Sequence, residues 1–76
     1  MFSYNIYTQA SEKEFNEACK LIEVVMPGIK KNELLEDVDG TQIQIYYYNN
    51  KKIKVMNDYE VDAVYIDSEI PLDMFD

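Results

Sequence analysis

The run TQIQIYYYNNKKIKVM, residues 41–56, is two alternating segments joined by a pair of asparagines. Side chains along a strand point to opposite faces in turn, so alternation of this kind marks a strand with one buried face. In the first segment Ile43, Ile45 and Tyr47 share one face, and Gln42, Gln44, Tyr46 and Tyr48 share the other. In the second, Ile53 and Val55 point inward, and Lys52 and Lys54 point outward. Asn49 and Asn50 tolerate the positive φ that a tight hairpin turn requires. The segment reads as a hairpin that buries its isoleucines and leaves Gln42, Gln44, Tyr46 and Tyr48 on an open sheet face.

Beyond the hairpin, NDYE (57–60) reads as a turn, and VDAVYID (61–67) as a strand with apolar residues on both faces. Upstream, Asp39-Gly40 is a turn signal. The segment IKKNELLEDVDG (29–40) reads either as a short helical turn, capped by Asn32 and running through Leu35, or as an irregular connection. In ASEKEFNEACKLIEVVMPG (10–28), Ser11 and Glu14 form a capping box. Phe15, Ala18, Cys19, Ile22, Val25 and Met26 then recur at spacings of three and four as one apolar helical stripe, and Pro27-Gly28 ends the helix. MFSYNIYT (1–8) alternates Phe2, Tyr4 and Ile6 against Ser3, Asn5 and Tyr7, which is another strand. The 76 residues make one small α+β domain. It has two layers, one amphipathic helix packed on a mostly antiparallel sheet, in the order strand, helix, short helix or loop, then three meander strands.

Fifteen acids against seven lysines give a formal charge of −8. Residues 1–31 hold four of each and cancel, so the whole excess lies in residues 32–76, and from Asp58 onward there are seven acids and no base. This balance disfavours direct contact with nucleic acid or an anionic membrane, both of which need clustered cations. It favours a basic partner. One cysteine, no leader-like opening and only short apolar runs read as a soluble cytoplasmic protein.

Catalytic apparatus is missing from the sequence. There is no histidine, and Cys19 lies on the apolar stripe, where it reads as a buried thiol without a base beside it. Two glycines cannot build a phosphate-cradling loop, and one cysteine without histidine does not hold zinc. Setting Gly40 as the sixth position of a calcium loop puts Leu35 first and Tyr46 twelfth, where carboxylates are required. Paired-carboxylate hydrolysis needs a cleft that a chain of this size rarely builds. The expectation is a non-enzymatic protein with no cofactor and no metal.

Two features read as a binding surface. One is the tyrosine pair Tyr46 and Tyr48 on the open face. The other is the acidic run Asp58, Glu60, Asp62, Asp67, Glu69, Asp73 and Asp76, whose carboxylates could stand in for phosphates in a basic groove. In size, charge and lack of catalytic residues the chain is similar to small DNA-mimic inhibitors made by phages and mobile elements, anti-CRISPR proteins among them. That resemblance implies a nucleic-acid-binding protein as the partner. The alternative is a small homo-oligomeric assembly protein, a homodimer through the tyrosine face or the apolar C-terminal tail.

The tail SEIPLDMFD (68–76) has two readings of its own. Leu72, Asp73, Met74 and Phe75 resemble the core of the bacterial sliding-clamp-binding peptide, with Pro71 where that motif has Gln. Glu69, Ile70 and Pro71 resemble the acidic tail of bacterial single-stranded DNA-binding proteins, although here Asp76 follows the Phe. Otherwise Ile70, Leu72, Met74 and Phe75 fold back as a last turn or strand over a thin core.

Overall fold

In the computed structural model, which describes residues 1–75, the chain runs β1 (Phe2–Tyr7), α1 (Glu12–Val25), β2 (Lys30–Glu36), β3 (Gln42–Tyr48), β4 (Lys51–Asp58) and β5 (Ala63–Ser68), then a 3-10 turn over Asp73–Phe75. The strands form one antiparallel sheet in the order β1-β5-β4-β3-β2. α1 leaves β1 at one edge, crosses a single face and delivers the chain to β2 at the other edge. This is the two-layer α+β arrangement that the sequence implies.

One element differs from its sequence reading. Lys30–Glu36 is neither a helical turn nor an irregular connection but an edge strand paired with β3, with a bulge between Lys31 and Leu34. Asn32 sits in the bulge rather than at a helix cap. Its side-chain oxygen accepts the N–H of Glu33 (3.1 Å), and its carbonyl accepts Gln44 Nε2 (2.6 Å). All seven residues of β2 are exposed. An edge strand with no buried stripe leaves no alternation to read.

The faces of β3 are the reverse of the sequence reading. Asn49 and Asn50 have φ of 49° and 64°, so the turn has two residues and Tyr48 closes against Lys51. Tyr46 therefore lies opposite Ile53, and Gln44 opposite Val55, all on the helix side. The parity of β4 is set by its lysines. Facing Lys52 and Lys54 into the core would desolvate two charges at several kcal/mol each. Turning Ile43, Ile45 and Tyr47 outward forgoes at most about 1.5–3 kcal/mol apiece. Gln44 tolerates burial because its amide donates to the carbonyls of Asn32 and Ile45. A two-residue turn carries the choice made on β4 into β3.

The core joins Phe15, Ala18, Cys19 and Ile22 of α1 to Tyr46, Ile53, Val55, Val64 and Ile66 of the sheet. The Ser11 hydroxyl accepts the N–H of Glu14 (3.2 Å), the expected N-cap bond. The Ser11 N–H goes to Asn57 Oδ1 (2.9 Å) and not to Glu14, so β4 completes the cap. Asn57 Nδ2 donates in turn to Gln42 Oε1 (3.0 Å), a buried polar link from the helix start across to β3. Val25 belongs by spacing to the apolar stripe but is exposed. Gly28, at φ 84°, turns the chain away from the helix.

The C-terminal tail is core. Leu72 is 1% exposed, and its N–H donates to the Tyr4 hydroxyl (2.8 Å). Ile70, Met74 and Phe75 pack around it, with the Phe75 ring 6.2 Å from that of Tyr4. The fold-back reading holds for these residues, and neither short-motif resemblance has a free peptide to rest on.

Candidate binding surfaces

The turns place the acids. The β2–β3 turn carries Asp37 and Asp39, and the β4–β5 turn carries Asp58, Glu60 and Asp62. Both lie at the same end of the antiparallel meander, joined by the N–H of Tyr59 donating to Thr41 Oγ1 (3.1 Å). Asp62 accepts the N–H of Ala10 (2.8 Å), which brings Glu12 and the start of α1 to this end. The helix N-terminus, with its partial positive charge, sits among these carboxylates and partly offsets their repulsion.

Backbone bonds hold most of these acids in place. Asp58 Oδ1 accepts the N–H groups of Glu60 (2.9 Å) and Val61 (3.3 Å), and Asp58 Oδ2 accepts the Tyr65 hydroxyl (3.0 Å). Burial, then this bond, pushes the Tyr65 hydroxyl up to about 12. Asp39 accepts the N–H of Thr41 (2.9 Å), which with the Thr41 hydroxyl holds its carboxyl below the usual range. Glu60 has no side-chain hydrogen bond among the described residues, so its charge is fully offered to solvent.

The acidic residues singled out in the sequence do not form one surface. Asp58, Glu60 and Asp62 share the acid end. Asp67 lies on the sheet face opposite Lys54 and accepts the Ser3 hydroxyl (2.8 Å). Glu69 sits at the far end, where its carboxylate accepts the N–H of Lys52 (2.6 Å). Asp73 begins the 3-10 turn, and Asp76 lies outside the described residues. The sequence reading missed Asp37, Asp39 and Glu12 as members of the acid end, because only the strand order brings three separated segments together. Lys30, Lys31, Lys51 and Lys52 gather at the opposite end, around the Asn49-Asn50 turn.

Tyr46 and Tyr48 are not on the open face. Tyr46 is fully buried beneath α1, where its hydroxyl donates to Glu23 Oε2, and Tyr48 packs against the same core. The open face belongs to the other set. Leu35, Ile43, Met56 and Tyr65 lie opposite one another in successive pairings and form an apolar row across four strands. Beside it runs a row of Ile45, Lys54, Asp67 and Ser3, and beyond that Lys30, Tyr47 and Lys52.

Burial raises the Cys19 thiol above its ordinary value, which suits packing and not nucleophilic chemistry. Among the described residues no helix is long and apolar enough to cross a membrane, and no three potential metal ligands converge.

Compared with known proteins, the chain matches no family model and no solved structure. It is 36% identical over 67 residues to the vacuolar membrane-associated protein IML1 of Saccharomyces cerevisiae. That match covers 83% of this chain and only 4% of the length of the yeast protein.

Proposed function

We propose that this chain is a non-enzymatic protein-binding module whose acid end docks on a basic surface of a nucleic-acid-binding protein, its carboxylates taking the place of phosphates. The observation that carries this reading is the convergence of Asp37, Asp39, Asp58, Glu60, Asp62 and Glu12 from three chain segments, several of them pinned by backbone bonds. Fixed charges complement a basic groove without first losing side-chain entropy, and they speed encounter. A reducing cytoplasm suits the lone buried thiol.

The test compares capture from a lysate by the intact chain and by a Glu12→Lys/Glu60→Lys variant. The expected partner elutes with rising salt, is displaced by added duplex DNA or RNA, and is lost with the variant. A partner held equally by both chains, or one indifferent to salt, overturns the reading.

The likeness to a short stretch of a vacuolar membrane-associated protein favours a second reading, a domain that works inside a larger, membrane-linked assembly. With a formal charge of −8, such attachment would run through protein and not lipid. Co-sedimentation with membranes that survives protease stripping of those membranes would refute it.

A further inference from the structure

We infer that the open face of the sheet is a self-association surface, on which a second copy of this chain stacks face to face about a two-fold axis at Met56. The inner face is covered by α1 and the tail, whereas nothing within the chain covers the row Leu35, Ile43, Met56 and Tyr65 or the neighbouring Ile45 and Tyr47. A continuous apolar row on an uncovered face is the ordinary mark of an interface.

The charge pattern selects a second copy as the occupant. On its outer side β4 presents Lys54, Met56 and Asp58 in turn, with Lys52 beyond. A two-fold at Met56 lays apolar row on apolar row and sets Lys54 against the partner's Asp58, and Asp58 against the partner's Lys54. An isologous contact needs this self-complementarity. The face as a whole carries Lys30, Lys52 and Lys54 against Asp58, Asp67 and Glu69, and these charges cancel. It is therefore a surface on which two copies of a −8 chain can meet without stacking like charge.

Five strands spaced about 4.8 Å apart and some 20 Å long bury on the order of 1,000 Å² in total when two such faces meet. Interfaces of that size are at the weak, reversible end of specific association. The dimer therefore belongs to the micromolar range and above.

Sedimentation equilibrium of the full chain, from micromolar to millimolar concentration, is expected to show a monomer–dimer equilibrium. Met56→Lys and Ile43→Lys each weaken it by about tenfold or more, and Lys54→Glu weakens it less. Val24→Lys, on the exposed back of α1, leaves it unchanged. NMR spectra of the unsubstituted chain on dilution give a second readout: Leu35, Ile43, Met56 and Tyr65 shift, and α1 does not. A monomer at millimolar concentration overturns the inference, as does a dimer insensitive to Met56→Lys, one abolished by Val24→Lys, or dilution shifts confined to α1. The inference does not depend on the acid-end reading. A Glu12→Lys/Glu60→Lys chain that loses its basic partner but still dimerises separates the two.

Discussion

Tyr46 lies directly across the β3–β4 ladder from Ile53, and both are fully buried under α1. The Tyr46 hydroxyl reaches through the core to Glu23 Oε2 (2.5 Å) and the carbonyl of Cys19 (3.5 Å), and Glu23 also pairs with Lys31 Nζ (3.2 Å). One side chain thus ties the helix to the sheet, and through Glu23 to the edge strand.

Tyr46→Phe keeps the ring and removes the bond, and is expected to cost about 1 kcal/mol in denaturant unfolding. Tyr46→Ala leaves a cavity and costs about 3–5 kcal/mol. The half-exposed Lys31–Glu23 pair contributes at most about 1 kcal/mol, so Lys31→Ala is mild.

The same bond sets two pH limbs. The Tyr46 hydroxyl, then Lys31, hold the Glu23 carboxyl below its usual range. That contribution is present above about pH 4.3 and fades as pH falls through the lowered native value. Burial, then Glu23, raise Tyr46 well above its usual value. Stability on that account is complete below about pH 10 and declines as pH rises further. Tyr46→Phe flattens both limbs, leaving an acid remainder from the Lys31–Glu23 pair and an alkaline remainder from Tyr65. Unfolding free energies measured across pH in both proteins check this.

At the hairpin, both turn residues are left-handed. Asn50→Gly is expected to be neutral or mildly stabilising. Asn50→Val forces a β-branched residue to φ near 64° and costs about 1–2 kcal/mol. Because this turn fixes register, inserting one glycine between Asn49 and Asn50 loosens the commitment of Tyr46 to the core. Near-ultraviolet circular dichroism of the tyrosines and thermal unfolding would report it.

Asn57 is fully buried and serves the helix cap on one side and Gln42 on the other. Asn57→Leu strands the Ser11 N–H and the Gln42 amide and costs about 1–3 kcal/mol. Hydrogen exchange at the start of α1 should quicken before exchange at its end.

Leu72→Ala is expected to cost about 2–5 kcal/mol, in the range of other core leucines. Truncation after Ser68 removes Leu72 together with Ile70, Met74 and Phe75 and should leave the chain unfolded. If the truncated chain folds with an unchanged midpoint, the tail is not core.

The helix was legible in its hydroxyl cap, most of its stripe and its stop, all local signals in residues 11–28. It was not legible in the Ser11 N–H, which goes to Asn57 of β4, nor in Val25, which is exposed. The hairpin was legible as a hairpin but not in its facing. Each strand, taken alone, puts Ile43 and Ile45 inside as plausibly as Tyr46. Only the cost of burying Lys52 and Lys54, carried through a two-residue turn, decides against it. β2 was invisible because an edge strand with every residue exposed has no period, and its Asn32 mimics a cap. Of the acidic surface, the turn acids Asp58, Glu60 and Asp62 were legible as neighbours. Their company with Asp37, Asp39 and Glu12 depends on pairings between distant segments, which local pattern does not encode.

The β1–β5 pairing sets the order in which this sheet is completed. Phe2 is opposite Ser68 and Tyr4 opposite Ile66, so the first strand made waits for the last. During synthesis the aromatic β1 has no sheet partner until β5 has been made, and until then the helix that follows has no complete sheet to cover. Loop closure over that span comes late and slowly. From the making of β1 to the making of β5 the growing chain thus carries an unpaired, tyrosine-rich strand, and unpaired sheet edges of this kind are prone to misassociate.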